Sequence, residues 1–150
     1  MTTLDDLIDA QLAADAEAAS KAEEERQERV RVNKATAIAK MGERLFWSLG
    51  KDLFDLLPLE YEAFTYREYN GRCYSGDLEN VHHVTATAPV YQDVLVFTFW
   101  PHDDEDEGSG LCQFHVSGQD SGYSDRATVL RALAKAREFD RTYPIECVPA

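Results

Sequence analysis

No proline interrupts residues 4–49, and the only glycine among them is Gly42. With the two strongest helix breakers missing, and Ala, Glu, Lys, Arg, Gln and Leu dominating, the stretch predicts a helix from Leu4 to Leu49. Thr3 is its expected N-cap, and Asp5 and Asp6 fall in the first turn, where the helix dipole favours negative charge. At about 1.5 Å per residue such a helix is a rod of roughly 70 Å, too long to lie wholly against one small domain.

Four further scarcities exclude whole classes. No apolar run approaches the roughly 20 residues needed to span a bilayer. The start, Met1-Thr2-Thr3-Leu4-Asp5-Asp6, lacks the basic and apolar regions of a signal peptide, so a cytoplasmic location is expected. The three cysteines, Cys73, Cys112 and Cys147, are odd in number and widely spaced. That suits reduced, buried thiols rather than a disulfide framework. Basic side chains are scarce in the middle: residues 59–122 hold only Arg67 and Arg72 against 12 carboxylates, within a total net charge of −13. Nucleic acid and anionic membrane are recognised through Lys and Arg, so neither is an expected partner. A protein with a basic surface is.

What is present fits a globular chain. At 150 residues and 44% hydrophobic content, one core can form without metal or disulfide. The long helix has three unlike parts. Leu4, Leu7, Ile8 and Leu12 make a short apolar stripe at the tip. Residues 13–29 are Ala-rich, then highly charged, a solvated spacer supported by pairs such as Glu25 with Arg29. Residues 38–57 are amphipathic, with Ile38, Met41, Leu45, Phe46, Leu49, Leu53, Phe54, Leu56 and Leu57 recurring at threes and fours. A break is expected at Gly50 and an end before Pro58. This divides the chain into residues 1–37, an extended charged helix of tip and spacer, and residues 38–150, a compact α+β domain.

The period then shortens to two. Glu60 to Tyr69 is rich in aromatics and ends at Asn70-Gly71, a two-residue hairpin signal with Arg72 to Ser75 as return strand. Val81 to Ala88 is a β-branched run halted by Pro89. Val90 to Trp100 is apolar on both faces, which demands cover on both or a central place in a sheet. Leu111 to Ser117 follows, and Ile145 to Val148 could add a last short strand. Ser124 is the expected cap of a second helix reaching Arg137 or Phe139, with Val129, Leu130, Leu133 and Ala136 as its apolar stripe and a basic outer face of Arg131, Lys135, Arg137 and Arg141. The fold class is therefore α+β: a long N-terminal helix, an antiparallel four- to five-stranded meander, and a C-terminal helix packed on the sheet.

No motif carries chemistry. The run Asp103-Asp104-Glu105-Asp106-Glu107 before Gly108 has the look of a cation loop. An EF-hand frame on Gly108, however, puts Phe114 where a bidentate Glu is required. His82 and His83 are neighbours in a strand, so their rings are expected on opposite faces, unable to share a metal. Cys112 and His115, three apart, are separated in the same way. The loop Ser117 to Gly122 precedes a helix but has Asp120 where a phosphate would sit. No cofactor and no metal are expected. Tyr66 and Glu68 lie on an aromatic hairpin among carboxylates, a composition suited to protein recognition.

These features point to a non-enzymatic, acidic protein–protein interaction module. Its N-terminal helix would serve assembly or docking through Leu4, Leu7, Ile8 and Leu12, including homo-oligomerisation. Its acidic surface, with Tyr66, Glu68 and Asp103 to Glu107, would meet a basic partner. A sharper form has that acidity competing with nucleic acid for a nucleic-acid-binding protein, as small phage-encoded inhibitors do. The alternatives are a small metal-dependent or carboxylate/histidine hydrolase using Asp93, His83 and His115, and a structural subunit of a viral or other multi-protein assembly.

Overall fold

The computed structural model describes residues 1–69, 78–101, 113–116 and 119–145, and of residues 119–123 only the backbone. Helix α1 runs unbroken from Leu4 to Leu49, 46 residues. Thr3 caps it reciprocally: its hydroxyl accepts the Asp6 N–H at 3.1 Å, and the Asp6 carboxylate accepts the Thr3 N–H at 3.0 Å. This is a capping box with Asp in the place usually held by Glu. Gly50, at φ +88°, ends the helix as expected, and a short α2 (Lys51–Leu56) follows before Pro58.

The junction is clamped from the far end of the chain. Arg126 Nη1 donates to the Leu49 carbonyl at 2.7 Å and to Asp52 Oδ1 at 2.6 Å, while Nη2 donates to Asp52 Oδ2 at 2.8 Å. One guanidinium thus satisfies a carbonyl orphaned by the helix end and grips a carboxylate with both forks. That grip pulls the Asp52 carboxyl down to about 2. Its contribution to stability is therefore complete above the usual carboxylate value and is lost as pH falls toward 2.

Among the described residues, five antiparallel strands follow in simple order: β1 (Glu60–Thr65), β2 (Val81–Val90), β3 (Asp93–Phe99), β4 (Gln113–Val116) and β5 (Gln119–Tyr123), closed by α3 (Arg126–Thr142). The α+β meander with helices at both ends is the expected architecture. Alternation sends Ala63, Val84, Ala86, Leu95, Phe97, Phe99, Phe114 and Val116 to one face. There they form one core with Met41, Leu45 and Leu49 of α1 and Val129, Ala132 and Ala136 of α3. Strand β3, apolar on both faces, takes the central place its sequence demanded.

Details depart from expectation, each for a local reason. β1 stops at Thr65, and Tyr66 to Tyr69 form a turn. Pro89 does not halt β2; it lies beyond Thr87, the last residue paired to β1, where no neighbour needs its missing N–H. Gln119 to Tyr123, which overlaps the loop expected over residues 117–122, is a fifth strand paired to β4. The proposed strand 72–75 lies outside the described residues, as do all three cysteines, and Ile145 itself is not in a strand. α3 is capped by Asp125, whose carboxylate accepts the Thr128 N–H at 2.7 Å, one residue later than expected.

Ser124 has a different fate. It is buried; its carbonyl accepts from the Ser48 hydroxyl, and its own hydroxyl has no partner among the described residues. A buried, unsatisfied hydroxyl costs free energy that alanine at the same position does not. Ser124→Ala is expected to raise unfolding free energy by about 1 kcal/mol in urea titration. A loss of similar size would mean that the hydroxyl is bonded after all.

Candidate functional site

The tip of α1 packs against no other described element. Every residue from Met1 to Glu25 is exposed, and Leu4, Leu7, Ile8 and Leu12 remain 73, 61, 48 and 61% accessible. Four large aliphatic side chains on one helix face, wet on every side, are an unspent driving force for association. Asp5, Asp6 and Asp9 stand among them, and no Lys or Arg occurs before Lys21.

Contact with the domain begins lower. Arg29 was expected to pair with Glu25 along the helix. It instead forks onto Glu79 in the β1–β2 connection at 2.8 and 2.9 Å. A carboxylate on another element offers two parallel bonds, which the i−4 neighbour does not. Asn33 donates to the Glu79 carbonyl and Lys34 Nζ to Glu68 at 2.8 Å. Within the helix, Glu23 pairs with Arg26 and Glu28 with Arg31.

Glu68 and Tyr66, expected on an open hairpin face, sit instead in a turn, with Tyr66 against His82. Glu68 also accepts the Thr65 N–H, at 3.0 Å. The two histidines are not on opposite faces. Phe64 pairs with His83 but Thr65 pairs with Val81, so His82 is an extra residue in β2, a bulge. Val81 and Val84, three apart, consequently both face the core. The bulge turns His82 back toward its neighbour, and the two Nδ1 atoms lie 2.8 Å apart. Tyr69 stacks on His82 with ring centroids 3.8 Å apart, Phe64 stacks on His83 at 4.7 Å, and Tyr66 meets His82 edge-on.

Two imidazoles so placed share one proton well and two badly. Partial burial, and then the nearby charge of His82, lower the His83 pKa below its ordinary value. The folded chain therefore resists the proton that the unfolded chain accepts, so stability is full above about pH 6.5 and declines as pH falls below it. A thermal melting series from pH 7.5 to about 5 should show that decline, and His83→Gln should flatten it.

The remaining candidates do not converge. Asp103 to Glu107 lies outside the described residues. Asp93 opens β3 opposite Val90, seven residues along β2 from His83, so roughly 23 Å separates them. His115 pairs with Val96, itself opposite Thr87, so it stands beside neither. Among the described residues no group of three or more His, Cys, Asp or Glu could hold a metal ion. Among the described residues, the recess between Asn33, Lys40 and Asn80, about 250 Å³, carries one ammonium and two amides and no acid–base pair.

One surface escaped the sequence reading. Leu130 was assigned to the apolar stripe of α3, but Val129 beside it is the buried one; neighbours in a helix point about 100° apart and cannot both face the sheet. Leu130 is exposed, next to Tyr91. The adjacency of residues 129 and 130 was the available signal.

The fold thus defines an α+β domain with a helical arm. No helix among the described residues is long and apolar enough to cross a membrane. No family model, curated protein or solved structure matches the chain.

Proposed function

We propose that the protein is a non-enzymatic interaction module of the cytoplasm, an acidic domain that carries a rigid arm and binds other proteins through it. The observation that carries this reading is the unbroken α1, whose lower part is buried in the core while Leu4, Leu7, Ile8 and Leu12 stand uncovered at its far end. A helix gains most of its stability from the face it packs. A stripe of leucines at the far end of a solvated spacer has no internal use, and an exposed apolar patch rimmed by charge suits a docking surface. The acidic middle of the chain supplies a second contact, steering a basic protein by long-range attraction.

The test is capture by the full chain against Leu7→Asp/Ile8→Asp, at low and high salt. Loss of partner proteins in the tip variant, with its melting temperature unchanged, is the expected result. Retention of every partner by that variant would sink the reading. Contacts through the acidic surface should fade at about 0.5 M salt, where screening is strong.

A further inference from the structure

We infer that the α1 tip of one copy docks on the outer side of α3 of a second copy, a head-to-tail contact that leaves each end open to a further molecule; this rests on the reading of the arm above. The receiving surface is built around the turn joining β2 to β3. Val90 pairs with Asp93, so only Tyr91 and Gln92 span the turn, and Tyr91 takes φ +54°. A bulky side chain in the left-handed region is strained, and glycine or asparagine would serve the turn better. The strained tyrosine projects into solvent, and with Leu130, Leu133, Ala134 and Arg137 it lines a recess of about 290 Å³. Large side chains at Tyr91 and Leu130 flank the small Ala134, leaving room for a leucine.

Charge selects the occupant. Helix α3 carries Arg126, Arg131, Lys135, Arg137 and Arg141 against Glu138 and Asp140, which makes it basic within an acidic protein. Arg126 is spent on Asp52, but Arg137 and Arg141 pair with no described carboxylate. The first 20 residues carry Asp5, Asp6, Asp9, Asp15 and Glu17 and no Lys or Arg. An acidic, leucine-striped helix thus meets a basic, apolar-floored shelf, complementary in both respects. The contact cannot form within one molecule. α1 is unbroken and pinned at Arg29, so Leu4 stands about 37 Å beyond that pair, pointing away from its own domain. Because the two surfaces differ, the contact is heterologous and does not close on itself in a dimer.

Light scattering on the full chain over a wide concentration range tests this. The wild type should grow past the mass of a dimer, and association should weaken about tenfold between roughly 0.05 and 0.5 M salt. Ile8→Asp (tip) and Leu130→Asp (shelf) should each be monomeric with unchanged circular dichroism. Mixed one to one they should form a dimer and stop there, since one intact tip and one intact shelf remain. Asp9→Lys should weaken self-association, and Arg137→Glu in the same chain should restore it. Self-association of Leu130→Asp alone would overturn the inference in favour of tip-to-tip pairing. A wild type monomeric throughout would also overturn it, whereas the reading of the arm stands or falls separately on partner capture by Leu7→Asp/Ile8→Asp.

Discussion

Replacing Phe97 by alanine should cost about 3–5 kcal/mol, the largest loss available from a single core truncation here. Phe97 is fully buried at the middle of β3, the central strand, with Ala86 opposite on β2 and Phe114 on β4. Its ring lies 6.0 Å from that of Phe114. Buried residues from all three helices belong to the same cluster, so no single element can move in to fill the space. The transfer and cavity costs then add in full. For a chain of this size each kcal/mol lowers the melting temperature by roughly 2–4 °C, so a drop of about 10 °C is expected by calorimetry. Phe139→Ala makes the contrast: Phe139 is more than half exposed, and its loss should stay within about 0.5 kcal/mol. Equal losses at the two positions would mean that the core is not centred on β3.

Gly50→Val should be strongly damaging although it removes no core side chain, at about 2–3 kcal/mol. Two costs coincide there. The backbone sits at φ +88°, which a β-branched residue adopts only under strain. A Cβ would also approach Arg126 Nη1 to 2.9 Å and Asp52 Oδ1 to 3.2 Å, pushing apart the clamp that closes α1. The two can be separated. In an Arg126→Ala background the crowding is relieved but the dihedral is not, so Gly50→Val should cost less there while still costing something. Full additivity of the two changes would show that the clamp plays no part in the penalty.

Much of this architecture was legible in the residues because single amino acids fix it. Absence of proline, a capping threonine and a terminal glycine bound α1 to the residue; β2 and β3 were placed but not bounded, since β2 runs on to Val90 past Pro89 and β3 begins at Asp93 rather than Val90. What escaped has physical reasons. The bulge at His82 adds one residue to a strand; an alternation rule assumes unbroken register, so it sent His82 and His83 to opposite faces when their nitrogens meet. β5 reads Gln119-Asp120-Ser121-Gly122-Tyr123, with no β-branched residue, and its place comes from backbone pairing with β4 rather than from its own propensity. The Arg29–Glu79 pair spans 50 positions, and no helical periodicity contains it. Of the candidate site, the tip was visible as leucines without a partner; the α3 shelf was not, since its floor includes a turn residue from another element.

The arm has a last consequence, in how its amides trade hydrogen with solvent. Along one continuous helix, protection should fall into two regimes. Amides near Met41, Leu45 and Leu49 open only when the core does, so they should exchange at the rate set by global unfolding. Those between Leu7 and Glu25 are held by helical bonds alone and should fray and exchange many orders of magnitude faster. The boundary should fall near Arg29, where the Glu79 pair first ties the helix down. Whatever seats on the tip would announce itself by slowing exchange in the outer half alone.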